Sequence, residues 1–140
     1  MKNKLYTSIG LMSGTSMDGI DISIIQSDGQ YEFYNILDDY FEYDVYLQEE
    51  LIRLRDIILN QNDLLKNSKE LASLERKITV FHAEKINQIL SKYKYQIDLI
   101  GFHGQTIFHD PQKKITKQLG DGKLLSQLLK KKVVYDFRQN

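Results

Sequence analysis

The sequence contains no cysteine, and Pro111 is its only proline. Lacking cysteine, it has no disulfide framework, no thiolate zinc site and no cysteine nucleophile. It also lacks an excess of either charge, since 19 Lys and Arg offset 19 Asp and Glu. A neutral chain gives no general electrostatic case for binding nucleic acid. No run of about 18 apolar residues occurs, so no membrane span is expected. The N-terminal stretch from Leu5 to Met12 mimics a weak signal peptide, but Thr7 and Ser8 interrupt it and no small-residue cleavage site follows. The expectation is a cytoplasmic protein with neither nucleic-acid nor membrane partners. Its 140 residues suit one domain with its own core and are too few for two full lobes around a cleft.

What is present is unevenly placed. Residues 1–60 carry a net charge of −7 and residues 61–140 a net charge of +7, which reads as an acidic strand region beside a basic helical one. Seven of the eight glycines (10, 14, 19, 101, 104, 120, 122) fall in three short segments. Such clustering marks loops with unusual backbone geometry or close approach to a ligand.

The hydrophobic pattern predicts an α/β chain. Leu5–Met12 reads as a buried strand and Ile20–Ser27 as a second, with Ile20, Ile22 and Ile24 on one face. Ser27-Asp28-Gly29-Gln30 is a hairpin turn, and Tyr31–Tyr43 makes a third strand at or near an edge. Leu47, Leu51, Leu54 and Ile58 form a helical stripe. After a polar break at residues 60–63, Asn67 and Glu70 match a capping box opening a helix that runs to about Tyr93. His82 borders the stripe of that helix and reads as a packed or solvent-edge residue. Ile97–Phe102 is a short buried strand, residues 107–119 a hairpin around Pro111, and Asp121 caps a helix containing Leu124, Leu125, Leu128 and Leu129. Lys130, Lys131 and Lys132 suit that helix's C-terminal dipole, and Val133–Phe137 is the last strand. The expected order is β-β-β-α-α-β-(β-β)-α-β, a mixed sheet with an antiparallel three-strand opening and a parallel pair near the end.

Four segments can carry chemistry. Gly14, Thr15, Ser16, Met17, Asp18, Gly19, Ile20 and Asp21 join two strands tightly, offering hydroxyls and free N–H groups to anionic oxygens. Asp18 and Asp21 can hold Mg²⁺ through water. The loop leads into a strand, so it is neither a Walker loop nor a dinucleotide fingerprint. His103, Gln105 and Thr106 follow a buried strand, where open α/β sheets place ligands. His103 and His109, six apart, are not a metal spacing. Gln118 through Gly122 form the third segment. In the fourth, Asp136-Phe137-Arg138, Arg138 can clamp a carboxylate or phosphate.

Together these segments resemble the anhydro-N-acetylmuramic acid kinase family. Leu11 through Asp21 is similar to its N-terminal signature, with Met17 where leucine is frequent. Ile100–Thr106 with His109, Thr116–Asp121 and Val133–Arg138 resemble its next blocks in the same order, and residues 45–95 are variable filler. The resemblance implies the first lobe of an actin-like ATPase fold, related to ribonuclease H, with the second lobe absent. It implies ATP-dependent conversion of 1,6-anhydro-N-acetylmuramic acid to N-acetylmuramic acid 6-phosphate, a step of cell-wall recycling, with ATP, Mg²⁺ and an amino sugar as ligands. Gly14–Asp21 would be the first phosphate loop. His103, Gln105, Thr106 and Arg138 would lie toward the sugar. No catalytic base is assignable, because the family's carboxylate lies beyond residue 140. A missing lobe or a homo-oligomer would complete such a chain.

Two other readings remain open at this point. One is a non-catalytic remnant or nucleotide-binding module. The other, more remote, is a serine hydrolase using Ser16 with His103 as base, because Gly14-Thr15-Ser16-Met17 is similar to the nucleophile segment of subtilisin-like proteases. That protease motif opens a helix and comes last among the triad members, unlike the arrangement here.

Overall fold

A computed structural model of the chain describes residues 2–139. Its first three strands, β1 (Tyr6–Met12), β2 (Gly19–Ser27) and β3 (Phe33–Glu42), form an antiparallel meander. Helices α1 (Val45–Ile57), α2 (Gln61–Lys66) and α3 (Ser68–Lys92) follow, and then β4 (Leu99–Phe102). The hairpin β5 (Gln105–Asp110) and β6 (Ile115–Leu119) precedes α4 (Gly122–Leu129) and the short β7 (Val133–Val134). The main sheet has the order β3-β2-β1-β4-β7, with β4 parallel to both β1 and β7. The hairpin forms a separate sheet of two strands. The edge position of β3 and the parallel pair around α4 agree with the sequence pattern.

The period of two along the strands sorts the sheet's faces. Ile9, Leu11, Ile20, Ile22, Ile24, Ile100 and Phe102 point into the core. Tyr6, Met12, Asp21 and Leu99 point out. A bulge between Ile24 and Ile25 breaks the alternation near the end of β2. Leu47, Leu51 and Leu54 of α1 and Leu71, Leu74, Ile78, Phe81, Ile86 and Ile89 of α3 belong to the same core, as do Ile107, Leu119 and Leu125 from the hairpin and α4. Leu→Ala at Leu51, Leu54 or Leu74, each wholly buried, would cost about 2–5 kcal/mol.

Three local expectations are corrected. The capping box belongs to Asn60 and Asp63, which open the short α2 inside the expected polar break. Asn67 makes no side-chain cap to α3. Its amide donates to the Asp63 carbonyl at 2.8 Å and closes α2 instead, while Glu70 pairs with Arg53. The last strand ends at Val134, because Asp136 adopts a left-handed φ of 60° and turns the chain away from the sheet. Aspartate tolerates this region better than most residues. Asp121 does cap α4, accepting from Leu124 N at 2.9 Å.

His82 is more enclosed than its border position suggests. It has no exposed surface and packs edge-on against Phe102, with ring centroids 4.9 Å apart. Its Nδ1–H donates to the Ile78 carbonyl at 2.8 Å, a carbonyl being able only to accept, and Nε2 has no partner among the described residues. Loss of hydration therefore pushes the imidazole pKa down to about 4. In the unfolded chain a histidine takes up its proton near pH 6.5, whereas here it stays neutral down to about 4. The associated stability is complete above pH 6.5 and is lost progressively as pH falls toward 4. Urea denaturation at pH 7.5 and pH 5.0 should show wild type losing roughly 2 kcal/mol more than His82→Leu. Equal losses in the two proteins would refute the assignment.

Candidate active site

The parallel strands β1, β4 and β7 all end on the same side of the sheet, because Leu11 pairs with Phe102 and Gly101 with Val134. The loops after them, residues 13–18, 103–104 and 135–138, leave the sheet at that shared edge. The antiparallel partner strands meet it too, since Gly19 at the start of β2 pairs with Glu42 at the end of β3. In open α/β sheets this carboxyl end is where ligands bind.

The β1–β2 loop is bent by an unexpected residue. Gly14 is exposed, and its φ is not among the positive values, which in this loop belong to Met17 at 58°. A left-handed non-glycine residue costs on the order of 1 kcal/mol. Burial of the Met17 side chain, 2% exposed, offsets that cost and plugs the loop into the core. Gly19 is needed for space: an added Cβ would lie 2.3 Å from the Phe41 carbonyl oxygen and 2.7 Å from the Tyr40 hydroxyl. Thr15, Ser16 and Asp18 stay exposed at the tip. The Ser16 hydroxyl donates to Asp18 Oδ1 at 2.8 Å, and this bond is the largest cause of a lowered Asp18 pKa. The nearby Tyr40 hydroxyl lowers it further. Burial first, then the Asp18 charge, raises the Tyr40 pKa.

Gln105 is wholly buried and spends its amide on protein partners. Its Nε2 donates to the Gly14 carbonyl at 2.9 Å and to the Thr106 carbonyl at 3.2 Å. Its Oε1 accepts from the Tyr43 hydroxyl at 3.0 Å. Tyr43, just past β3, also donates its backbone N–H to the Asp18 carbonyl at 2.9 Å. Desolvation pushes the Tyr43 pKa up to about 12, so its hydroxyl keeps its proton at neutral pH.

Farther along the same edge, Arg138 Nε donates to His103 Nε2 at 2.9 Å. This requires a neutral His103 with its proton on Nδ1, where it faces the Gly104 carbonyl at 3.1 Å. The terminal guanidinium nitrogens of Arg138 have no partner among the described residues. Gly104, with φ 79°, holds the turn against Leu119, where a Cβ would approach its carbonyl oxygen to 2.6 Å. Thr106 accepts from Gln118 Nε2 at 3.0 Å. His103, Gln118, Tyr135 and Arg138 border a cavity of about 860 Å³, with Phe102 and Lys117 also in its lining. The Gly14–Asp21 loop is not part of its wall.

The structure thus joins His103 to Arg138 and Gln105 to Gly14, segments up to 91 residues apart. It does not join Ser16 to His103. The Ser16 hydroxyl is directed to Asp18 and both His103 nitrogens are engaged elsewhere, so the pairing a serine nucleophile needs is not formed. Among the described residues no three His, Asp or Glu side chains gather as a metal cluster. The sequence reading missed Tyr40 and Tyr43, which look like ordinary members of an aromatic strand run.

The family model described as anhydro-N-acetylmuramic acid kinase matches residues 6–140. The chain belongs to this family. It is 57% identical over 137 residues to the anhydro-N-acetylmuramic acid kinase of Pelagibacter ubique, an alignment covering 98% of the chain and 36% of that protein. To the like-named kinases of Agrobacterium fabrum and Rhizobium etli it is 40% and 36% identical, covering 98% and 96% of the chain and 38% and 37% of those proteins. The chain therefore spans somewhat over a third of the length of these relatives.

The two loop glycines differ in their surroundings. Gly14→Ala would meet only Ser16 Oγ, at 3.6 Å, and should shift stability by no more than ~0.5 kcal/mol. Gly19→Ala forces backbone apart and should cost about 2 kcal/mol or more. Thermal melts of both variants measure the contrast, and equal melting points would contradict the geometry.

Proposed function

We propose that this chain forms the first lobe of an actin-like, ribonuclease H-related ATPase fold and supplies part of the active site of an anhydro-N-acetylmuramic acid kinase. The observation that carries the reading is the family match over residues 6–140. The sheet order β3-β2-β1-β4-β7, with only β2 antiparallel to its neighbours β1 and β3, is compatible with that lobe. A second lobe, from the length by which the relatives exceed this chain, closes the cleft. A cytoplasmic location goes with ATP as the donor.

In this reading ATP transfers its γ-phosphoryl group to the 6-oxygen of 1,6-anhydro-N-acetylmuramic acid. The bond from that oxygen to C1 breaks, water adds its hydroxyl to C1, and a base takes the water's proton. The product is N-acetylmuramic acid 6-phosphate. Phosphoryl transfer asks the protein for positioning and charge neutralisation more than for covalent chemistry. Gly14, Thr15 and Ser16 present N–H and hydroxyl donors to the phosphates, while Met17 and Ile20 anchor the segment through buried side chains. Asp18, held ionised by Ser16, and Asp21 suit Mg²⁺, which binds through one or two carboxylates, waters and substrate phosphates. That ion supplies neutralisation of phosphate charge when bound. His103, Thr106 and Arg138 face the sugar, with the free guanidinium end of Arg138 available to its carboxylate. Gln105 acts from behind, through the Gly14 carbonyl. The base would come from the length of the relatives that this chain does not match.

A chimera tests the proposal. This chain replaces the matching 36% of the Pelagibacter protein, and transfer of ³²P from ATP to the anhydro sugar is measured. The chimera should be active, and Asp18→Ala in it should lower kcat by at least about a hundredfold. The 140-residue chain alone should bind Mg·ATP weakly by calorimetry and turn nothing over. A folded but inactive chimera would overturn the proposal in favour of a non-catalytic remnant.

A further inference from the structure

The phosphate loop has little internal support. Its only backbone hydrogen bond within residues 14–18, from Met17 N to the Gly14 carbonyl, is long at 3.4 Å. Ser16 and Asp18 bond to each other at the exposed tip. What fixes the loop comes from outside it, and the polar part converges on one residue. Tyr43 N–H donates to the Asp18 carbonyl at the far end of the loop. The Tyr43 hydroxyl donates to Gln105, whose amide N–H holds the Gly14 carbonyl at the near end. The Tyr43 oxygen also lies 3.3 Å from Ser13 Oγ.

The direction of these bonds is forced. Gln105 Nε2 sits against two carbonyls, Gly14 and Thr106, which can only accept, so its Oε1 must face Tyr43. Oε1 therefore needs a donor, and the single hydroxyl hydrogen of Tyr43 supplies it. Ser13, Tyr43 and Gln105 are each at most 5% exposed, so water does not substitute readily. Satisfied networks at such burial hold one arrangement, because any half-broken state leaves a desolvated polar group. The same Gln105 opens β5, directly after the His103–Gly104 turn that borders the cavity.

We infer that Tyr43 is a positioning residue that holds the phosphate loop in register with the β4–β5 turn on the sugar side, acting through the Gln105 amide. The inference rests on the kinase reading for its catalytic consequence and on the hydrogen-bond geometry for its mechanical one. Tyr43 is suited to this by its place between β3 and α1. Its ring packs against Phe81 of α3, with centroids 5.2 Å apart, so the hydroxyl is presented from a fixed frame. Displacement of the loop by a fraction of an ångström leaves phosphate donors in place for binding and spoils the alignment that transfer requires.

Tyr43→Phe removes the hydroxyl and keeps the ring. In the active chimera it should lower kcat about tenfold to a hundredfold per folded molecule, with KM for ATP changed less than about threefold. Because Tyr43 works through Gln105, adding Tyr43→Phe to a Gln105→Met background should cost less than about twofold more. In the isolated chain, hydrogen exchange of the Met17 and Tyr43 amides should quicken about tenfold, while amides of α3 stay protected. Unchanged kcat, additive losses, or equal quickening throughout α3 would each overturn the inference. If the unmutated chimera is folded and inactive, the kinase reading falls, and the exchange comparison alone decides whether Tyr43 holds the loop.

Discussion

Residues 9–11 of β1 and 100–102 of β4 lie side by side in parallel, and the geometry of the candidate site depends on that pairing. A parallel pair cannot be closed by a tight turn. Here the connection passes through β2, β3 and three helices before returning. Once the strands align, their C-terminal ends emerge together, and the loops that follow them become neighbours. The Gly14 carbonyl and the Gln105 amide meet only because Leu11 and Phe102 share a register. A slip of β4 by one residue against β1 would turn Ile100 and Phe102 outward and separate the two loops.

The pairing is held by asymmetric burial. One face of the sheet carries isoleucines against α1 and α3, and the other is mostly polar, aromatic or glycine, with Met12 and Leu99 exposed on it. The core therefore specifies register strongly, and the loops at the edge inherit a stable frame. Against that frame, the β1–β2 loop can afford a strained Met17 and few internal hydrogen bonds. Its order is borrowed from Met17 burial and from the Tyr43–Gln105 network, both parts of the rigid body beneath it. An exposed tip on a fixed base is the arrangement that phosphate recognition by backbone and hydroxyl groups requires.

Much of this was legible in the sequence. The isoleucines at 20, 22 and 24 have a period of two and form one buried face. The leucine stripe at 47, 51 and 54 is the inner face of α1, and Asp121 caps α4 as its position before a leucine cluster suggests. The misses have local causes. Asn60 and Asn67 are both capping residues flanked by plausible partners, and which one caps depended on whether the intervening segment turned into a helix. The end of β7 was set by a single left-handed aspartate. His82 looked peripheral because periodicity describes one helix face, while Phe102, which packs against it, lies on a strand remote in sequence.

The candidate site divides the same way. Residue types and spacing alone marked the loop 14–21 and the segments at 103–106 and 136–138, because glycine, hydroxyl and carboxylate clusters are local and carry their chemistry with them. The roles within those segments were decided by tertiary structure. It made Met17, not a glycine, the left-handed residue, and it turned Gln105 inward as a tether. It also joined Arg138 to His103 and gave Tyr43 its place beneath the loop. A hydrogen bond between residues tens of positions apart depends on where the backbone brings them. The sequence by itself determined which groups were available at the edge, and only the packing of sheet on helix determined which of them face outward and which hold the others still.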